Sequence, residues 1–212
     1  MVFRDRKDAG RQLAARLAFL KDEKDLVVLG IPRGGVVVAA EVAQALNAPL
    51  DIFIAHKLGA PFSPELAIGA LASTGEIFLD DALIAVLGIP EQRIQHEIEC
   101  QRIEIARRLE LFRSNRPALQ VEGKTVIVVD DGIATGSTML ASLRALRKQS
   151  PARLLLAIPV APAEAVKMLE RECDGVIVLE TPEPFWAVGR FYRDFKQVED
   201  SQVSKLLDAL TF

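Results

Sequence analysis

The chain has 212 residues, half of them apolar and 26% charged, a composition that fits a folded globular protein and is too apolar for a disordered one. The formal net charge of −3 argues against a broad polyanion-binding surface, though not against a local phosphate site. Two cysteines (Cys100, Cys173) and two histidines (His56, His96) are too few for a disulfide framework, a cysteine-rich zinc site or a histidine-rich metal centre.

No stretch approaches the roughly 18 continuous apolar residues of a membrane span. The start, MVFRDRKDAGRQ, is charged and lacks an apolar signal core, so a cytoplasmic location is expected. Residues 5–20 carry Leu13, Leu17 and Leu20 at helical spacing, with Asp5 or Asp8 as a cap. DLVVLGI (25–31) reads as a buried strand running into Pro32-Arg33-Gly34-Gly35, residues 36–46 as a helix, and LDIFIAHK (50–57) as the next strand. Strand, helix and strand in such a short span imply a parallel crossover.

Residues 58–79 break the pattern. AIGALAS and EIFLD flank Thr74-Gly75 and predict an antiparallel hairpin. A short helix over 80–88 is stopped by Gly88 and Pro90. Residues 91–115 hold the longest helical pattern, with Ile94, Ile98, Ile105, Leu109 and Phe112 in a narrow apolar seam and Gln101 filling its gap. That seam would pack on the body of the protein or on a second subunit, hence the expectation of a homodimer. Its Arg102, Arg107 and Arg108 read first as a solvated charged face and second as a substrate clamp. KTVIVVDD (124–131), ARLLLAIPVA (152–161) and GVIVLE (175–180) are continuous Val/Ile/Leu runs, as parallel strands buried on both faces require. Helices over 137–148 and 163–172 connect them, and the tail ends in an amphipathic helix near 199–210. The expected architecture is one α/β domain over 1–212, with a doubly wound, mainly parallel sheet from about 25–57 and 120–180. An inserted hairpin plus long helix (58–116) and a small hood lobe in the tail (181–212) complete it.

The chemistry concentrates in Val126-Ile-Val-Val-Asp130-Asp131-Gly132-Ile-Ala134-Thr135-Gly136-Ser137-Thr138. Open α/β sheets bind ligands at the carboxyl ends of their strands. Here such an end is followed by two carboxylates and a Gly/Thr/Ser loop that opens a helix. A helix start offers unpaired N–H groups and the positive end of a dipole, which suits a phosphate. Gly132 and Gly136 let the backbone come close, and Thr135, Ser137 and Thr138 add hydroxyl donors. Asp130 and Asp131 would be repelled by the phosphate but could accept hydrogen bonds from sugar hydroxyls. Side by side, the two features describe a ribose 5-phosphate.

This stretch resembles the phosphoribosyl pyrophosphate signature of the type I phosphoribosyltransferases: four apolar residues, two acids, a short variable piece, then Thr-Gly-x-Thr. The resemblance implies that Asp130 and Asp131 contact the ribose hydroxyls and that Ala134 through Thr138 hold the 5-phosphate. It implies that Pro32, Arg33, Gly34 and Gly35 form the pyrophosphate loop, which in that family often carries a non-proline cis peptide, with Arg33 as its cation. Lys57 would be a second cation, and His56 would point the opposite way. Pro184-Phe185-Trp186-Ala187-Val188-Gly189 through Asp194 resembles the aromatic Phe-x-Val-Gly…Asp stretch of purine phosphoribosyltransferases, with one extra residue before the Asp. Phe185 or Trp186 would stack on the acceptor there, and Asp194 is a weaker candidate near metal. The implied reaction displaces pyrophosphate from ribose C1 by a nitrogenous, purine-like acceptor. Arg33, Lys57, Asp130 and Asp131 would be the working residues, and Mg²⁺ would be carried by the substrate rather than by a fixed protein site. The partners are then small molecules, with neither nucleic acid nor membrane. The rival readings are a non-catalytic regulatory module of the same fold that binds phosphoribosyl pyrophosphate or nucleotide, and a flavodoxin-like nucleotide binder.

Overall fold

The computed structural model describes residues 3–113 and 116–210. Its main sheet has five strands, all parallel, in the order β2 (Leu50–Ile52), β1 (Leu26–Gly30), β6 (Thr125–Val129), β7 (Arg153–Val160), β8 (Gly175–Glu180). Side chains alternate between two cores. Val28, Ile127, Val129, Leu155 and Ala157 face one side with α1 (Arg6–Arg16) and α2 (Gly34–Leu46). Val27, Leu29, Val126, Val128, Leu154 and Leu156 face the other with α5 (Ser137–Arg147) and α6 (Ala163–Leu169). Removing each such Val, Leu or Ile side chain from water stabilises the fold by about 1.5–3 kcal/mol, which is why these runs read as buried strands. β8 lies at the edge and is only half-buried along its length.

LDIFIAHK is not a single strand of the main sheet. Leu50–Ile52 pairs with β1, whereas Ala55–Ala60 (β3) belongs to a separate antiparallel sheet with β4 (Ser63–Ala72) and β5 (Ile77–Leu79). The changeover is made by the backbone: Phe53 N–H donates to Gly30 O and closes the first ladder, and Ser73 N–H donates to Ile54 O and opens the second. An apolar run carries no mark of such a switch, because both sheets bury it. The predicted hairpin around Thr74-Gly75 is the β4–β5 turn, and β3 is an added third strand.

The short helix is α3 (Asp81–Leu87), capped by the Asp80 side chain and ended by Gly88 in the left-handed region. The long helix is α4 (Glu91–Arg113); Ser114 and Asn115, the predicted end, lie outside the described residues. Its Ile94, Ile98, Ile105 and Phe112 are buried and Leu109 packs against the same core. The partners are this chain's own β3 and α7 (Asp200–Leu210), so the seam that motivated a homodimer is covered within the chain. Gln101 fills the gap by a hydrogen bond between its Oε1 and His56 Nδ1, at 2.8 Å. A largely buried ion pair ties the base of α4 down. Asp51 of β2 receives Nε and Nη2 of Arg113, both at 2.9 Å, and the Leu119 N–H at 3.0 Å.

The tail and the N-terminus form one small unit. Phe3 bridges to Tyr192, and Arg193 and Asp194 N–H groups donate to the carbonyls of Phe3 and Arg4. Phe3 and Tyr192 are buried together, with ring centroids 5.3 Å apart. Of the tail expected to form a hood (181–212), Phe185, Val188, Phe191 and Tyr192 pack with Phe3, whereas α7 buries Val203 and Leu207 in the main core.

Candidate active site

β1 and β6 are adjacent, in register from Leu26↔Thr125 to Gly30↔Val129. The chain leaves them on opposite faces: β1 feeds α2, packed in one core, and β6 feeds α5, packed in the other. Between them lies a topological switch point, where the strand order reverses and a crevice must open at the carboxyl ends. Both loops named in the sequence start there. Ile31 N–H still donates to Val129 O, so the loops begin side by side before they diverge.

Neither helix that opens from this crevice has a side-chain cap. α5 begins at Gly136, whose φ of 83° places it in the left-handed region that favours glycine. Its first N–H groups have no intrahelical acceptor by construction. A cavity of about 220 Å³ is lined by Asp130 and by Gly132 through Met139, including all of Ala134, Thr135, Gly136, Ser137 and Thr138. α2 begins after Arg33, again without a capping side chain, and the Pro32–Arg33 peptide is cis, as the resemblance implied.

The two loops touch through the glycines. A Cβ on Gly35 would lie 2.8 Å from both Cα and Oδ1 of Asp130, and one on Gly34 would collide with the Asp131 carboxylate and with Arg6 Nε. The pair Gly34-Gly35 is therefore required by the acidic strand tip pressing against it. Asp131 is held by Arg6, with Nε 2.6 Å from Oδ2 and both side chains more than four-fifths buried. Arg6 is itself fixed by a bond from Nη1 to Lys196 O and by the Phe195 ring, 3.8 Å from its guanidinium carbon. Tyr192 Oη donates to the Asp131 carbonyl. Asp130 accepts from the Asp131 N–H at 2.8 Å. Burial, and then the negative charge of Asp131, push the Asp130 carboxyl well above its ordinary range. The crevice thus holds one carboxylate paired to a cation and one inclined to keep its proton.

Arg33 is half-exposed and faces Asp200, with Nη1 3.6 Å from Oδ1. Lys57 lies on β3, not after a core strand, yet β3 brings it to a cavity of about 540 Å³ that also reaches Thr138, Gln101, Glu104 and Arg108. His56, expected on the opposite side, borders the same cavity. Burial lowers its pKa, and its Nδ1 shares a hydrogen bond with Gln101. Of the α4 arginines, Arg107 and Arg108 both grip Glu104, while Arg102 pairs with Glu99 away from the cavity. The two bonded guanidiniums hold the Glu104 carboxyl down to about 2.

The acceptor candidates separate. Phe185 stacks on Phe191 at 5.2 Å and belongs to the aromatic packing around Phe3 and Tyr192, whereas Trp186 is 74% exposed. Asp194 is engaged by Lys196, through both its N–H and its Nζ. Arg6, Tyr192 and Glu104 were not singled out as site residues from sequence. Arg6 did leave a trace: a cation in the first turn of a helix opposes the helix dipole and needs some other partner.

A doubly wound parallel sheet with two uncapped helix starts and a carboxylate pair at its switch point defines the class: an open α/β protein with its crevice at the carboxyl ends of β1 and β6. The particular family follows from comparison. The sequence model of the phosphoribosyl transferase domain matches residues 3–196. Over 207 residues the chain is 44% identical to a protein of Mycobacterium tuberculosis named "Putative phosphoribosyl transferase", covering 98% of this chain and 46% of that one. The chain therefore spans about half the length of the curated relatives it matches over its whole extent. A ribose-phosphate pyrophosphokinase of Methanopyrus kandleri is 41% identical over 71 residues, 32% of this chain and 24% of that one. Among solved structures, TT1426 from Thermus thermophilus superposes with a TM-score of 0.87 at 41% identity over 100% of both chains. This chain belongs to the phosphoribosyl transferase domain family, and the flavodoxin-like alternative is set aside.

Proposed function

We propose that this chain binds 5-phosphoribosyl 1-pyrophosphate together with Mg²⁺ and transfers its phosphoribosyl group to a nitrogenous acceptor. The observation that carries the reading is the meeting of two uncapped helix starts with the Asp130–Asp131 pair at one crevice. The 5-phosphate sits at the start of α5, on the N–H groups and hydroxyls of Thr135 through Thr138. Asp131, oriented by Arg6, and Asp130 accept from the ribose hydroxyls. The diphosphate lies over Pro32 through Gly35, at the start of α2, with Arg33 and Lys57 as its cations.

In the reaction the acceptor nitrogen bonds to C1 as the C1–oxygen bond breaks, and that electron pair leaves with pyrophosphate. Positive charge gathers at C1 and negative charge on the leaving group, so positioning and fixed cations supply the catalysis and no protein nucleophile is needed. The donor set fits a metal that arrives on the substrate: Asp131 is paired with Arg6 and Asp194 with Lys196, leaving phosphate oxygens and water as the ligands Mg²⁺ prefers. Bound there, it would neutralise charge on the departing diphosphate. The exposed Trp186 ring is the surface on which a planar, purine-like acceptor would stack.

The test is a screen for pyrophosphate release from 5-phosphoribosyl 1-pyrophosphate with Mg²⁺ and a panel of purine, pyrimidine and amine acceptors. Release with one acceptor class supports the reading. Tight binding without release across the panel would instead place the chain with the non-catalytic regulatory modules.

A further inference from the structure

A third cavity, of about 200 Å³, adjoins the loop at Pro32 and Arg33, and its other walls are Arg107, Arg108 and Phe112 of α4 and Asp200 of α7. Arg108 also borders the larger cavity that reaches Lys57 and Thr138. It therefore stands between the Arg33 loop and the end of the phosphate loop. Three guanidiniums converge here, and each rests on a carboxylate: Arg33 on Asp200, Arg107 and Arg108 on Glu104. Arg108 meets Glu104 through Nε, at 2.7 Å. An arginine has five donors in a planar fork that matches phosphate oxygens two at a time, so the terminal nitrogens can serve a second anion.

We propose that Arg108, with Arg107 beside it, is a diphosphate-binding residue supplied by the inserted helix α4, and that Glu104 is the resting counter-ion it exchanges for the ligand. The inference rests on the phosphoribosyl pyrophosphate reading above and adds the wall of the site opposite Arg33. A monophosphate is already served by the α5 start. A diphosphate carries more charge over a greater length, and Arg33, Arg108 and Lys57 line the two cavities that Arg108 borders in common. The alternative is that Glu104 and the two arginines are an ordinary surface pairing along one helix, which would stabilise that helix slightly and touch no ligand.

The two readings differ in sign. Calorimetric titration with inorganic pyrophosphate and Mg²⁺, and separately with ribose 5-phosphate, is run on wild type, R108Q, R108K and E104Q, each checked for folding by thermal melt. We expect R108Q to weaken pyrophosphate about tenfold and leave ribose 5-phosphate within about twofold, with R108K intermediate because it keeps the charge and loses the fork. E104Q should tighten pyrophosphate about threefold, since the competing carboxylate is gone. Unchanged pyrophosphate affinity in R108Q, or weakening in E104Q, overturns the proposal. Wild type that binds ribose 5-phosphate but not pyrophosphate overturns it while the ribose site stands. Wild type that binds neither overturns both.

Discussion

Arg6 Nε lies 2.6 Å from Asp131 Oδ2, joining the first turn of α1 to the tip of β6 across 125 residues of chain. The pair is more than four-fifths buried and closes over Gly34. It ties residues 195–196, the 32–35 loop and the acidic strand tip together, because Arg6 is also held by Phe195 and Lys196.

R6Q leaves Asp131 without its cation and next to a second carboxyl. Breaking a largely buried pair by removing one partner costs about 3 kcal/mol. Denaturant unfolding should show that loss, and 5-phosphoribosyl 1-pyrophosphate should bind at least ~10-fold more weakly. R6K should recover part of the binding, since it restores charge without the planar fork.

G34A introduces a methyl group where the Asp131 carboxylate and Arg6 already meet. The pair must part or the loop must move, at a cost of about 1–3 kcal/mol. The expected result is a lower melting temperature together with loss of ribose 5-phosphate binding in titration calorimetry.

D130N should separate stability from function. Burial and the Asp131 charge raise the Asp130 pKa, so the folded state favours the protonated form. Stability is then present at low pH and lost as pH rises through the raised value, which makes the ionised group a liability at neutrality. An amide has no charge to desolvate. D130N should melt about 2–4 °C higher than wild type at pH 7, with the advantage shrinking toward pH 4, while ribose 5-phosphate affinity falls.

D51N tests the frame apart from the site. Asp51 is buried on β2 and receives Arg113 twice. Weakening that pair should lower the free energy of unfolding by about 3 kcal/mol, the low end for a broken buried ion pair. Ribose 5-phosphate affinity of the folded protein should stay within about twofold, because distant sites act independently.

The parallel sheet was legible because β1, β6 and nearly all of β7 are buried on both faces, so that a strand such as TVIVV is an unbroken apolar run. The cavity lined by Asp130 and Gly132 through Met139 was legible as a candidate site because its glycines, hydroxyls and acid are contiguous in sequence. What stayed hidden depends on contacts distant in sequence. The split of residues 50–57 between two sheets is fixed by Phe53 and Ser73 backbone bonds that leave the apolar pattern unchanged. Arg6 meets Asp131 only because the N-terminus folds against residues 191–194. The α4 seam is apolar in sequence, but its cover, α7, lies nearly a hundred residues further along. Arg107 and Arg108 read as a solvated face until the Arg33 loop and α7 closed a cavity around them.

The most direct measurement is calorimetric titration of ribose 5-phosphate into the wild-type protein and into D131N. The account predicts saturable one-site binding to wild type and at least ~10-fold weaker binding to a folded D131N, the loss of a charged hydrogen-bond acceptor. Equal affinity in the two proteins, or no binding to wild type, would contradict it.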